Sequence, residues 1–266
     1  MTVKALLIDV DGTLTFRGEM IPGADESLRQ ARRLGYRLRF LTNTTTKLPQ
    51  QIADELSGLG LAVAVEEIHT ATTACVRYLK TQGCMRCHFM LPEQVRPLFD
   101  GITVDDEAPD FVVVSDIGAG FTYDALNKAF RMLRNGAELI ALQKNLFWHD
   151  VDGDKLDCGA FVLGLEAASG KQATVMGKPA ASFFHQSFAD LVCGVDEIAI
   201  VGDDIKTDIL GAQEIGACNV LVGTGKFDAP QMTAMARKPD FFLPSIAELP
   251  SLLDDAFRQS VLEVRQ

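Results

Sequence analysis

The sequence predicts an α/β fold, a parallel sheet flanked by helices, with a second α/β domain inserted into it. Three observations carry that expectation. The chain opens on an apolar run, Ala5-Leu6-Leu7-Ile8, that ends in Asp9-Val10-Asp11-Gly12-Thr13, and a short apolar run closed by a glycine turn reads as a buried strand. Such runs then alternate with segments of helical periodicity, the rhythm of parallel strands joined by right-handed crossovers. The residues able to do chemistry fall where predicted strands end, the edge at which open α/β sheets bind ligands.

The elements follow in order. Pro22 introduces a helix with Ala24, Leu28, Ala31 and Leu34 on one face, stopped by Gly35. Arg37 to Thr42 alternates like a strand, and Pro49 begins a helix carrying Ile52, Leu56 and Leu59 up to Gly60. Glu67 to Lys80 reads as a helix, Phe111 to Asp116 as a buried strand, and Tyr123 to Asn135 as a helix closed by Gly136. Leu139 to Leu142 is a strand candidate, Phe161 to Ser169 a helix ending at Gly170, and Ala181 to Leu191 a further helix. Ile198 to Val201 reads as a strand ending in Gly202-Asp203-Asp204. Val220 to Gly223, a short strand near Phe241-Phe242 and a helix from Ile246 to Phe257 complete the expected elements.

Composition narrows the function classes. Hydrophobic residues make up 47% and charged residues 23% of 266 positions, as in an ordinary globular protein. A formal net charge of −11 argues against nucleic acid as a partner, because phosphate backbones are met by a basic footprint. The basic cluster Arg29, Arg32, Arg33, Arg37 and Arg39 reads as a solvated helix face. Asp9 and Asp11 interrupt what would be the apolar core of a signal peptide, and no stretch reaches the roughly 20 apolar residues of a membrane span. The expectation is therefore a cytoplasmic protein with no membrane partner. The six cysteines are then reduced. Cys84-Met85-Arg86-Cys87-His88 has the haem-attachment spacing but no export signal, and no second pair completes a zinc set, so it reads as a strand edge with two thiols.

Four strand-end segments carry the candidate chemistry: Asp9 with Asp11; Thr42-Asn43; Lys178, braced by Gly177 and Pro179; and Gly202-Asp203-Asp204 followed by Asp208. Each has an ordinary reading alone: a turn, a helix cap, a solvated lysine, a capped helix start. Their joint order changes the reading. Spacing i, i+2 puts Asp9 and Asp11 on one face of an extended segment, where one carboxylate attacks and the other moves a proton. Clustered carboxylates repel unless a cation joins them, and oxygen ligands select a hard ion such as Mg2+. Lys178 and the Thr42 hydroxyl suit a phosphoryl dianion, and a carboxylate attacking phosphorus forms an aspartyl-phosphate.

Spacing also locates the insertion. Asp9 and Thr42 are separated by one strand–helix–strand unit and no more. Between Thr42 and Lys178 lies far more chain than a crossover needs, so an inserted α/β domain of roughly 100 residues is expected there. The predicted division is a core of residues 1–74 and 174–266 and an inserted domain of residues 75–173.

In its four motifs, taken in order, the chain resembles the haloacid dehalogenase-like (HAD) hydrolase superfamily. Asp9-Val10-Asp11-Gly12-Thr13 is similar to its first motif, Thr42-Asn43 to its second, Lys178 to its third, and Gly202-Asp203-Asp204 with Asp208 to its fourth. The resemblance implies a Rossmann-like three-layer core and, from the position of the insertion, a C2a-type cap. That cap resembles those of subfamily IIA, the group of NagD, the 4-nitrophenyl phosphatases and the phospholysine phosphohistidine inorganic pyrophosphate phosphatases. The stretch Phe161 to Gly170, followed by Gly177-Lys178-Pro179, is similar to that subfamily. By resemblance, Asp9 is the nucleophile and Asp11 the general acid and base. Thr42 and Asn43 hold the phosphoryl group, and Lys178 neutralises nucleophile and phosphate. Mg2+ takes Asp9, the backbone carbonyl of Asp11, and Asp203, while Asp204 and Asp208 lie outside its direct ligands. Within the superfamily it resembles, phosphatases and phosphomutases carry Asp two residues after the nucleophile, as Asp11 stands here, whereas transport ATPases carry Thr and dehalogenases a bulkier aromatic. The implied activity is Mg2+-dependent hydrolysis of a small phosphorylated metabolite, with a homodimer through the cap by analogy. Two other readings stay open: a phosphotransferase or mutase using the same intermediate, and a non-catalytic binding module on the same fold.

Three segments depart from simple motifs. Asp157-Cys158-Gly159-Ala160 stands where relatives carry a glycine- or proline-rich loop, a candidate specificity segment. Asp150-Val151-Asp152-Gly153-Asp154 starts like a calcium loop but has Phe161 at the position of the bidentate Glu, so a hairpin turn is expected. Gly223-Thr224-Gly225-Lys226 lacks the full phosphate-loop pattern and reads as a strand-to-loop connection. Trp148 and His149 are candidates to line a substrate pocket, against the alternative of a packed Trp beside a solvated His.

Overall fold

The first strand, β1 (Ala5–Asp9), is buried along its whole length, which is why its sequence shows no polar alternation. The structure is a computed structural model and describes residues 3–83, 85–150 and 153–253. It divides into two units. One contains the chain up to Thr42, Pro49–His69 and the chain from Lys178 onward, and the other contains Asn43–Leu48 and Thr70–Gly177.

After β1 come a short antiparallel ribbon of β2 (Thr15–Phe16) and β3 (Glu19–Met20), helix α1 (Ala24–Arg33), β4 (Arg37–Thr42), α2 (Pro49–Gly58) and β5 (Ile68–Thr70). The expected helix over 67–80 is therefore a strand followed by a helix. Ile68, His69 and Thr70 are all buried and extend the sheet beside β4. The helix starts only at Ala71, where the Thr70 hydroxyl accepts from the Thr73 amide at 3.0 Å. A tertiary strand partner, invisible in the local pattern, decides the first residues, and the N-cap decides the rest.

The second unit begins with α3 (Ala71–Thr81). It continues through β6 (Arg86–Met90), β7 (Thr103–Val104), β8 (Phe111–Val114), α4 (Tyr123–Arg134), β9 (Glu138–Ala141), a hairpin of β10 (Phe147–Asp150) and β11 (Gly153–Leu156), α5 (Cys158–Ser169) and β12 (Thr174–Val175). Its main sheet has the order β12-β9-β8-β6-β7, and all its pairings are parallel. Phe111, Val113 and Ile140 pack on one face against Cys75 and Leu79 of α3. Val112, Val114 and Leu139 pack on the other against Met132 and Leu133 of α4 and Val162 and Leu165 of α5. Strict alternation along a strand buried on both sides produces these two cores. The boundary read at Cys75 falls inside α3, and β12 lies beyond Ala173, because a boundary that runs through packed elements leaves no composition shift to read.

The first unit resumes with α6 (Ala181–Phe188), β13 (Ile198–Gly202), α7 (Leu210–Ile215), β14 (Cys218–Val222), α8 (Ala229–Ala234) and β15 (Phe241–Leu243). Its six-stranded sheet has the order β15-β14-β13-β1-β4-β5, with β1 paired in parallel to both β13 and β4. Leu6 and Ile8 of β1, Leu38 and Phe40 of β4, and Val201 of β13 share one core with Leu28 and Ala31 of α1. Four of the five clustered arginines are paired within this unit: Arg29 with Asp25 and Glu26, Arg32 with Glu67, Arg33 with Glu26, and Arg39 with Asp190; Arg37 and Arg39 lie on β4 rather than on the expected helix face. Of the expected helix from Ile246 to Phe257, Ile246–Glu248 forms a 3-10 turn and residues 249–253 are helical, while 254–257 lie outside the described residues. Among the described residues, no helix is long and apolar enough to cross a membrane.

Candidate active site

β1, β4 and β13 are neighbours, and their carboxyl ends bring three of the four sequence motifs to one edge of the sheet. Asp9 is the last residue of β1 and is 5% exposed. Thr42 ends β4, one position past the partner of Asp9, and is buried. Asp203 follows β13 directly and is buried.

Lys178, which opens the final segment of this unit, reaches the same point. Its ammonium donates to Asp9 Oδ1 and, at 2.6 Å, to Asp208 Oδ1. All three side chains are nearly inaccessible to solvent. Carboxylate oxygens of Asp9, Asp203 and Asp208 lie within 4.8 Å of one another. Asp208 gets there through an unusual local structure. Ile205–Ile209 is a π-helical turn, capped by Asp204, whose carboxylate accepts from the Lys206 and Thr207 amides at 2.8 and 3.3 Å. The wide turn aims Asp208 back at the strand end, where the Asp204 amide donates to Asp208 Oδ2 at 3.2 Å. Gly202 makes the approach possible, since a Cβ there would stand 2.5 Å from Asp208 Cβ.

The electrostatics are lopsided: three buried carboxylates face one ammonium. Burial works against the charge of Lys178, but Asp208 and Asp9 outweigh it and hold the ammonium firmly protonated. Burial pushes Asp208 up to about 7, helped by Asp9 and Asp204 and opposed by Lys178. Asp203 is pushed well above the usual carboxylate range by burial and by the charges of Asp9 and Asp208, while the Lys226 amide pulls the other way. Asp9 Oδ2 is buried with no hydrogen-bond partner among the described residues. An orphaned carboxylate oxygen in a cluster of excess negative charge, with oxygen donors only, fits a hard divalent cation such as Mg2+.

The remaining expected residues are placed differently. β1 stops at Asp9 and the chain bends at Val10, so the shared-face argument for Asp9 and Asp11 does not describe the backbone. Asp11 is exposed beside a turn while Asp9 is buried. Asn43 is the first residue of the second unit, where a Cβ on Gly177 would come 2.5 Å from its Oδ1.

Sequence reasoning missed the loop after β14. The Lys226 amide donates to Asp203 Oδ2 at 2.6 Å, and the Thr224 hydroxyl donates to the Gly12 carbonyl at 2.5 Å. The glycine-rich composition of Gly223 to Lys226 was the available signal, but only the sheet order shows what the loop reaches.

In the second unit, the segment from Asp157 to Ala160 is the start of α5. Asp157 caps it, its Oδ1 accepting from the Cys158 amide at 2.7 Å and from Gln143 Nε2 at 2.5 Å. Burial pushes the Cys158 thiol far up, and the Cys87 thiol up to about 11. Trp148 is 38% exposed with the Lys155 ammonium 5.5 Å from its ring centroid, so it is neither packed away nor bare. Phe147 to Asp150 pairs antiparallel with Gly153 to Leu156, the hairpin expected in place of a calcium loop. Cys84, the side chains of His149 and Asp150, and residues Val151 and Asp152 lie outside the described residues.

Comparison with known proteins agrees with this geometry. Residues 6–103 match the family described as haloacid dehalogenase-like hydrolase, and residues 175–249 match the HAD-hydrolase-like family. Haloacid dehalogenase-like hydrolase domain-containing protein 2 of Mus musculus is 37% identical over 227 residues, 85% of this chain and 86% of that protein. Phospholysine phosphohistidine inorganic pyrophosphate phosphatase of Xenopus laevis is 34% identical over 232 residues, 85% of each chain. Among solved structures, NagD of E. coli K-12 superposes with a TM-score of 0.86 at 29% identity, covering 93% of this chain and 98% of its own. The 4-nitrophenylphosphatase of Thermotoga maritima superposes at 0.87 with 26% identity, covering 94% and 97%. With its strand-end carboxylates, its buried lysine and relatives of this kind along nearly its whole length, the chain belongs to the haloacid dehalogenase-like hydrolase superfamily, subfamily IIA.

Proposed function

We propose that this HAD-type phosphatase removes phosphate from small phosphorylated metabolites through an aspartyl-phosphate on Asp9, with Mg2+ as cofactor. The observation that carries the reading is the buried cluster at the ends of β1 and β13, in which Lys178 holds Asp9 and Asp208 beside Asp203. A carboxylate held by an ammonium in a dry site is oriented for attack.

Asp9 attacks phosphorus, forming a new O–P bond as the bond to the leaving-group oxygen breaks. Asp11, exposed next to the strand end, gives that oxygen its proton. Asp11 then takes a proton from the water that attacks the phosphoryl group, which releases phosphate and restores the Asp9 carboxylate. Lys178 and Thr42 meet the phosphoryl oxygens, and Asn43 joins them. Asp9, the Asp11 carbonyl and Asp203 would hold Mg2+, with Asp204 and Asp208 behind them. Bound there, Mg2+ supplies charge neutralisation for an incoming phosphate dianion. The second unit is the cap that reads the leaving group, and its motions exclude bulk water.

The test is phosphate release from a panel containing an aryl phosphate, sugar phosphates, nucleoside monophosphates, pyridoxal phosphate, pyrophosphate and a phosphoamidate. Release that requires Mg2+ and disappears in Asp9→Asn supports the reading. Equal release from Asp9→Asn, or none from a folded protein that binds Mg2+, overturns it. Transfer to an added alcohol without free phosphate would assign a phosphotransferase instead.

A further inference from the structure

The loop Gly223–Lys226 joins β14 to the segment before α8 and contributes no motif residue, yet it touches both strand ends that carry the proposed metal ligands. Its Lys226 amide donates to Asp203 Oδ2 at 2.6 Å. Its Thr224 hydroxyl donates to the carbonyl of Gly12, the residue after Asp11, at 2.5 Å. Gly12 is itself tied into the turn through its amide, which donates to the Thr15 carbonyl at 2.6 Å. The two glycines adjoin each other at the Asp203 carboxylate. Gly12 has φ +99°, and a Cβ on it would lie 2.5 Å from Asp203 Cγ. Gly225 has φ +57°, and a Cβ on it would press on the Asp203 carboxylate and lie 2.5 Å from Gly12 Cα. The Asp203 carboxylate is thus seated against two bare α-carbons, with the oxygen nearest them taken up by a backbone N–H.

We propose that this loop is a positioning element of the metal site: the Lys226 amide, the Thr224 hydroxyl and the absence of a side chain at Gly225 fix the Asp203 carboxylate against the β1 turn. The proposal rests on the reading of Asp203 as a metal ligand. With Oδ2 held by the Lys226 amide, the Asp203 carboxylate is fixed in the cluster it forms with Asp9 and Asp208. Thr224, by holding the Gly12 peptide, sets the neighbouring Asp11 carbonyl, the other ligand that the turn supplies. The β1 turn and the end of β13 come from opposite ends of the chain, and their mutual placement is what a metal site with few protein ligands needs. Partners of this kind around a metal ligand are typically worth about 10–100-fold in affinity.

The test is Mn2+ binding by electron paramagnetic resonance, with Mg2+ as competitor, on the full chain. The variants are Thr224→Val, Thr224→Ser, Gly225→Ala and Asp203→Asn, each also melted without metal. Thr224→Val keeps the shape and removes the donor. The expected result is at least about tenfold weaker Mn2+ binding in Thr224→Val and Gly225→Ala. Thr224→Ser should return to within about twofold of wild type, and the metal-free melting temperature of Thr224→Val should be unchanged. A purely structural loop would lower that temperature and would not be rescued in affinity by the serine hydroxyl. If Gly225→Ala fails to fold, Thr224→Val decides alone. Unchanged affinity in Thr224→Val, with binding lost in Asp203→Asn, overturns the proposal and leaves the metal site standing. Unchanged affinity in Asp203→Asn overturns both.

Discussion

Replacing Lys178 by Met tests the centre of the site directly. The substitution keeps the length and apolar stem of the side chain and removes the one ammonium that faces Asp9 and Asp208. All three side chains are at least nine-tenths buried, so solvent cannot replace the lost partner. Breaking a buried ion pair from one side costs about 3–5 kcal/mol. For a chain of this size that is a fall in melting temperature of roughly 6–20 °C. The cost depends on pH with a definite sign. A carboxylate whose folded pKa is raised is held protonated by the fold, so its stability contribution is present at low pH and is lost as pH rises through the folded value. In Lys178→Met, Asp208 loses the cation that now opposes its rise to about 7, so the loss is larger at pH 8 than at pH 5.5. The assay is thermal or urea unfolding in EDTA at both pH values, repeated with Asp208→Asn and the double variant. Coupling between the two substitutions of at least about 1 kcal/mol is expected. A loss under about 1 kcal/mol at pH 8, or strict additivity with Asp208→Asn, would refute the claim that the ammonium compensates these two carboxylates.

Three further outcomes follow from the same geometry. Because Asp203 holds its proton more tightly in the fold than outside it, Mg2+ bound there must displace that proton at low pH; its stabilisation should be greater at pH 8 than at pH 5.5, and a shift independent of pH would contradict the cluster as the binding site. Gly202→Ala would drive a methyl into Asp208 and should cost about 1–3 kcal/mol of stability and about 100-fold in kcat, so a variant with wild-type turnover would show that the placement of Asp208 does not matter. Cys75, Cys87, Cys158 and Cys218 are buried and Cys193 is partly accessible; of these five, a thiol reagent should label Cys193 first in the folded protein, and early labelling of Cys158 would contradict the packed start of α5.

Local pattern made much of this protein legible. An apolar run ending in a carboxylate marks the end of β1, Gly202-Asp203-Asp204 marks the end of β13, and Pro and Gly bracket α1. Those signals depend on residues within a few positions of one another, so a linear reading reaches them. Order and spacing also disclosed that a second α/β unit interrupts the first. The bend at Val10 that separates buried Asp9 from exposed Asp11 escaped the same reading, because the i, i+2 rule holds only while the strand continues.

By itself, the sequence determined which residues end strands, which types of side chain gather there, and hence which chemistry is available. The tertiary structure alone decided who meets whom. Ile68 to Thr70 became a strand because β4 was beside it. Asp208 joined Asp9 because a π-helical turn aimed it at Lys178. A loop that looked like a connection came to hold Asp203 and Gly12 together. The physical reason is the same in each case. Pattern and propensity act over a turn or a strand, whereas burial, charge compensation and close backbone approach act between segments that only the parallel sheet brings side by side.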